Sequence, residues 1–264
     1  MTVTATTRLT ARSLSLGYDD RTVVDSLDVD ILDGKVTAIV GANACGKSTL
    51  LRGLARLLRP SSGEVLLDGT PILDRGTREV ARILGLLPQT PVAPDGITVA
   101  DLVSRGRHPH QGWFRSWNDG DEAAVARALE ATDTVNLVDR PLHALSGGQR
   151  QRVWIAMALA QETDLLLLDE PTTFLDIAHQ VELLRLLRDL NRATDRTIVA
   201  VLHDLNLACR YSDHLIVMGG GQILAEGPPS EVVTAELVER AFGLACLVIP
   251  DPVAGTPMIV PAGD

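Results

Sequence analysis

Nine consecutive residues, Gly41-Ala42-Asn43-Ala44-Cys45-Gly46-Lys47-Ser48-Thr49, carry the spacing G-x-x-x-x-G-K-S. Binding of phosphate calls for these residue types in this order. Successive backbone N–H groups and a helix N-terminus must converge on phosphate oxygens, and side chains would block that approach. Lys47 is placed to reach the β/γ-phosphates, and Ser48 to ligand Mg²⁺. Of the 24 cationic residues 22 are Arg, and only Lys35 and Lys47 are Lys. A chain that writes Arg almost everywhere keeps Lys where a compact point charge is wanted. A second group of residues, Leu165-Leu166-Leu167-Leu168 followed by Asp169-Glu170, suits the other half of the chemistry. An apolar strand delivers Asp169 to hold Mg²⁺ through water and Glu170 to orient or deprotonate an attacking water. The two motifs together point to hydrolysis of ATP or GTP.

These residues need elements to position them. The run 36–40 reads as a strand leading into the phosphate loop, and residues 50–58 read as the helix that follows. Alternating apolar residues on either side of 17–20 predict a short antiparallel hairpin region, with Tyr18 in its turn. A further strand is expected over 64–69 and a buried one over 83–87, ending at Pro88-Gln89. From 90 to about 160 no strand is expected. Thr98 with Asp101 marks a capped helix start, and 121–132 is Ala- and Leu-rich helix. Ser146 and Gln149 form a capping box that opens another helix. A helix over 176–191, a strand over 197–202 ending at His203-Asp204, short strands at 215–218 and 222–225, a helix over 234–242 closed by Gly243, and a Pro-punctuated hairpin over 247–260 complete the chain.

Leu145-Ser146-Gly147-Gly148-Gln149, followed by Arg150-Gln151-Arg152, resembles the signature of the ATP-binding cassette (ABC) family. The resemblance runs in order from about residue 8 to the end. It implies that Tyr18 stacks on adenine, that Gln89 is the Q-loop glutamine and a further Mg²⁺ ligand, that Asp176 is the D-loop aspartate and that His203 is the switch histidine. The site it implies comprises Tyr18 and Gly41 to Thr49 for ATP, Glu170, His203 and Gln89 for catalysis, and Ser48, Gln89 and Asp169 for Mg²⁺. Ser146, Gly147, Gly148 and Gln149 would serve the ATP of the opposite subunit. A helix N-terminus, two glycines and a hydroxyl make a second phosphate site that one chain cannot turn on its own nucleotide. A head-to-tail homodimer follows. The implied fold is α/β, a P-loop NTPase (RecA-like) mixed sheet with an N-terminal antiparallel β subdomain and an inserted α-helical subdomain. Within an ABC ATPase domain over 8–264, residues 8–89 and 161–225 would form the nucleotide-binding core with the antiparallel subdomain. Residues 90–160 would form the helical subdomain and 226–264 a C-terminal extension.

A closer resemblance lies in Leu86-Leu87-Pro88-Gln89, in Gly106-Arg107-His108-Pro109-His110-Gln111, in Pro171-Thr172-Thr173-Phe174-Leu175-Asp176 and in Asp251-Pro252-Val253-Ala254-Gly255-Thr256-Pro257. These look like the ATPase subunits of bacterial iron-siderophore importers, with relatives serving haem and cobalamin. The implied partners are a transmembrane permease and an extracytoplasmic substrate-binding protein, and the implied location is the cytoplasmic face of the membrane. A soluble ABC protein of DNA repair or translation is the rival class, but the chain has neither a coiled-coil arm nor a second cassette. A small-molecule P-loop kinase would leave 145–149 unexplained.

The net charge of −10 argues against nucleic acid as a partner. No apolar run approaches the ~20 residues needed to cross a bilayer, and three scattered cysteines suit a reducing compartment. Two departures from the family pattern stand in the phosphate loop, where Ala42 and Ala44 replace Pro and Gly. A left-handed conformation at 44 would cost ~1–2 kcal/mol. Cys45, just before a helix N-terminus, is a candidate reactive thiol or a small space-filling residue. Trp113, Phe114 and Trp117 either pack in the helical subdomain or form an exposed permease-docking patch rimmed by Arg107, Arg115 and Asp119.

Overall fold

The computed structural model describes residues 7–19, 21–112 and 117–263. In chain order its elements are strands β1 (Thr7–Tyr18), β2 (Arg21–Leu32) and β3 (Val36–Gly41), helix α1 (Lys47–Leu54), and strands β4 (Ser62–Leu67) and β5 (Thr70–Pro71). Helix α2 (Thr77–Ile83), strand β6 (Leu84–Leu87) and helices α3 (Val99–Ser104), α4 (Asp119–Ala131) and α5 (Gly147–Ala160) follow. Then come β7 (Leu165–Asp169), α6 (Ile177–Thr194), β8 (Thr197–Val201), α7 (Leu205–Tyr211), β9 (His214–Gly219) and β10 (Gln222–Gly227). The chain closes with α8 (Pro229–Val232), α9 (Ala235–Phe242), β11 (Cys246–Pro250) and β12 (Pro257–Pro261).

The chain divides into two compact units, one of residues 1–75 with 191–264, the other of residues 76–190. In the first, β2, β1, β4 and β5 form an antiparallel sheet. β8, β3 and β9 are parallel neighbours, with β10 antiparallel on β9. β3 and β8 are buried along their whole lengths, which is why they read as continuous apolar runs instead of alternating ones. β11 and β12 form the expected terminal hairpin. In the second unit, β6 and β7 pair in parallel, with Leu84 opposite Leu165 and Leu87 opposite Leu168.

The local signals in the sequence fix most helix starts. Thr98, Asn118, Ser146, Asp204 and Thr234 each accept a backbone N–H in the first turn of α3, α4, α5, α7 and α9. At Asn118 and Ser146 the reciprocal bond is present too, so both are full capping boxes. Gly243, at φ 68, closes α9 as expected. Between residues 90 and 160 the described residues hold no strand.

The structure also corrects the sequence reading. α1 stops at Leu54, not at 58, because Arg56 turns left-handed at φ 62 and Leu57 is exposed. Ile83 belongs to α2, a helix the apolar run concealed, and the strand begins only at Leu84. α7 lies where only a strand end was expected. Tyr18 is the last residue of β1, paired with Arg21 across the hairpin, not a turn residue.

Candidate nucleotide site

The phosphate loop belongs to the first unit, between the buried β3 and α1. Its backbone takes positive φ at Gly41 (153), Ala44 (59) and Gly46 (106). At Gly41 a side chain would also collide with the Met218 carbonyl. Ala44 is the substitution noted in the sequence, and it does sit in the left-handed region, so the loop bears the ~1–2 kcal/mol cost. The loop is backed by Val24 beside Gly46 and by Gly221, whose N–H donates to the Cys45 carbonyl at 3.1 Å.

At its N-terminus α1 has no side-chain cap, unlike the five capped helices above. No side-chain acceptor thus occupies the mouth of the helix, where its dipole favours an anion. Lys47 is 5% exposed, and its Nζ donates to the carbonyls of Gly41 at 2.9 Å and Ala42 at 2.8 Å. The ammonium thus curls back over the loop that would cradle a phosphate. Tyr18, 42% exposed, accepts at its hydroxyl a hydrogen bond from Arg52 of α1 at 3.2 Å. Its ring stands by the phosphate-loop helix, available for stacking. His203, two residues beyond the end of β8, is exposed. Cys45 is 7% exposed, which favours the space-filling reading over an accessible thiol.

In the second unit β7 ends at Asp169, 1% exposed, and the chain turns left-handed at Glu170, φ 52. A non-glycine residue held there costs about 1–3 kcal/mol, a strain typical of functional positions. Here it re-aims the side chain. Glu170 Oε2 accepts hydrogen bonds from Gln89 Nε2 at 2.7 Å and from Thr173 Oγ1 at 3.3 Å. Two residues expected in the catalytic site, 81 positions apart in sequence, are thus brought into contact. Thr173 was missed as a site residue, because nothing in its spacing distinguishes it from a turn threonine.

The segment after Glu170 is fastened to α5. Gln151 Nε2, buried, donates to the Pro171 carbonyl at 2.9 Å, and Leu175 lies 3.4 Å from where a Cβ on Gly148 would be. Ser146 and Gly147 are exposed at the start of α5, as a helix N-terminus offered to an outside anion must be. Phe174, 80% exposed, and Ile177, 79% exposed, flank Asp176 nearby in the sequence. Asp176 caps α6 by accepting the His179 N–H at 2.9 Å.

The docking patch needs revision. Trp113, Phe114 and Arg115 lie outside the described residues. Trp117 is 43% exposed and lines a cleft of about 490 Å³ with Pro94, Asp101, Arg105 and His108. Arg107, expected on the rim, is instead 6% exposed. Its Nε donates to Asp121 at 3.0 Å, and one terminal nitrogen donates to Glu162 at 2.9 Å and to the Ala160 carbonyl at 2.8 Å. Burial acts to raise the Glu162 pKa, but the Arg127 hydrogen bond and the Arg107 and Arg127 charges outweigh it and hold the carboxyl below its ordinary value.

Comparison with known proteins places this geometry. The ABC transporter family model matches residues 24–173. The ferric enterobactin transport ATP-binding protein FepC of Escherichia coli K12 is 57% identical over 97% of this chain and 94% of its own. The achromobactin transport ATP-binding protein CbrD of Dickeya dadantii is 54% identical over 97% and 96%. Among solved structures, an inward-facing transporter assigned to the metal-chelate ABC type superposes with a TM-score of 0.82 at 29% identity, over 97% of this chain and 98% of that one. A family model covering more than half of the chain, and relatives above 50% identity along nearly all of it, establish that this protein belongs to the ABC transporter family as an ATP-binding ATPase.

Proposed function

We propose that this chain is the ATPase subunit that energises import of iron(III)-siderophore complexes. The observation that carries the reading is the 57% identity, end to end, with an ATP-binding protein of ferric enterobactin transport. In this role Gly41 to Thr49 hold the triphosphate, Tyr18 stacks on adenine, and Glu170, kept in place by Gln89, takes the proton of the attacking water. His203 serves as the switch histidine, and Asp176 and Ser146 to Gln149, of which Ser146 and Gly147 are exposed, serve the nucleotide held by a second copy. The exposed Phe174 and Ile177 fit burial against that copy, since large apolar groups seldom stand this open without a partner.

The donors expected for Mg²⁺ are a hydroxyl (Ser48), an amide oxygen (Gln89) and a carboxylate (Asp169), all hard oxygen ligands of the kind this ion takes. When bound, the ion would neutralise charge on the phosphates. None of the helices among the described residues is long and apolar enough to cross a membrane. Attachment through a permease, with a binding protein on the far side, supplies what the chain lacks, and the subunit then works peripherally on the cytoplasmic face. The test is uptake by cells lacking the chain of a panel of iron-labelled ferric siderophores, iron-labelled haem and cobalt-labelled cobalamin. Loss of uptake confined to one or more ferric siderophores, restored by the wild-type chain, supports the proposal. Loss confined to haem or cobalamin, or normal uptake of all, overturns it.

A further inference from the structure

Asp176 is unusual among the site residues in being held by a single side chain in the open. Its Oδ1 accepts from the His179 backbone N–H at 2.9 Å and from His179 Nδ1 at 2.7 Å, while the two side chains remain 66% and 41% exposed. The backbone bond is the ordinary cap of a helix start, which Ser, Thr or Asn would also provide. The ring bond is not part of capping. The Asp176 carboxyl is held below its ordinary value, first by the His179 backbone N–H and then by its ring, so it is ionised near neutral pH. A carboxylate only accepts, so Nδ1 must carry a proton.

The imidazole, partly exposed, borders a small cavity of about 160 Å³ with Thr132, Arg152, Ile155 and Leu183, and its ring bond goes back to Asp176. Asp176 is 66% exposed, and without the ring its carboxylate would keep only the backbone bonds of the helix cap, a looser hold.

We infer that His179 is a positioning residue for ATP turnover: its ring Nδ1–H adds to the backbone cap bond and narrows the Asp176 carboxylate to one rotamer before a second copy of the chain meets it. The inference rests on the proposed role of Asp176 at the nucleotide shared between copies. The signal in the sequence is only Asp-Ile-Ala-His, an acid with a histidine three residues on at a helix start, which by pattern alone is indistinguishable from a solvated first turn.

The experiment measures steady-state ATP turnover by the full-length protein in its membrane complex, with Mg-ATP varied, alongside thermal unfolding of the full-length chain. In His179→Ala, kcat should fall about tenfold while the KM for ATP stays within about twofold and the unfolding midpoint is unchanged. His179→Asn places an amide N–H where Nδ1 lies and should restore at least half of kcat. His179→Gln places it where Nε2 lies and should behave like Ala. A kcat for His179→Ala within about twofold of wild type, or equal activity of the Asn and Gln variants, overturns the inference. Asp176→Asn separates it from the reading beneath: if that variant turns over normally, the role of Asp176 fails and the inference with it. If Asp176→Asn is impaired while His179→Ala is normal, only the inference fails. Should His179→Ala not fold, the contrast between Asn and Gln decides alone.

Discussion

Replacing Arg107 by Met would test the packing of the helical unit where the structure differs most from the sequence reading. The guanidinium is 6% exposed and makes three hydrogen bonds, to Asp121, Glu162 and the Ala160 carbonyl. Met retains much of the apolar volume and removes the charge. Asp121, whose side chain is 2% exposed, then loses the Arg107 guanidinium, although Asn118 still donates to it at 2.9 Å. Removing one partner of a buried pair costs about 3–5 kcal/mol, because the charge left behind stays desolvated. Glu162 adds little, since its carboxylate is 38% exposed and keeps Arg127 at 2.7 Å. The expected loss is therefore about 3 kcal/mol, the low end. The three tryptophans, at 113, 117 and 154, all fall within residues 76–190, so urea unfolding followed by their fluorescence reports this unit. Adding Asp121→Asn, which removes the buried charge and keeps an oxygen acceptor for the α4 cap, should recover about half of the loss, a coupling of roughly 1.5 kcal/mol. A single variant within about 1 kcal/mol of wild type, or no coupling in the pair, would refute the reasoning.

Three further outcomes are expected. Ala44→Gly relieves ~1–2 kcal/mol of left-handed strain and adds ~0.5–1 kcal/mol of unfolded-state entropy, so it should stabilise by up to about 1.5 kcal/mol; a lower unfolding midpoint would contradict this. Polar thiol reagents should label Cys246 first in the folded chain, because Cys45 and Cys209 are buried and burial pushes the Cys209 thiol up to about 12; rapid loss of Cys45 would reinstate the reactive-thiol reading. The Arg8 hydrogen bond holds the Asp68 carboxyl below 3.8, so this ion pair stabilises the fold above that pH and is lost as pH falls through the lower folded value. Asp68→Asn should cost about 0.5 kcal/mol at neutral pH and converge with wild type in strong acid; a gap that widened on acidification would contradict this sign.

The elements around the phosphate loop were legible because each announces itself locally. A β-run, glycines at fixed offsets, and Ser, Thr or Asn three residues before an acid or amide are all signals carried within a few positions. What escaped is nonlocal or set by backbone conformation. Arg107 reads as a surface cation, since its acidic partners stand 14 and 55 residues away in sequence and no pattern links them. Family resemblance assigned both Gln89 and Glu170 to the site, but their contact, across 81 positions, had no signal in the spacing. Thr173, which completes the hold on Glu170, carried no signal at all. The early end of α1 depends on one arginine turning left-handed, a choice that Leu-rich helical composition on either side obscures.

The central claim is that Glu170, bound by Gln89 and Thr173, takes the proton of the attacking water, and Glu170→Gln tests it most directly. The amide keeps the shape of the site and can still hydrogen-bond to its neighbours, while it can no longer accept that proton. The measurement is single-turnover hydrolysis of Mg-ATP by the assembled complex, with nucleotide binding followed in parallel. The account predicts ATP binding within about twofold of wild type, hydrolysis reduced at least ~100-fold, and a nucleotide-bound dimer that accumulates. Hydrolysis by Glu170→Gln at near the wild-type rate would contradict it.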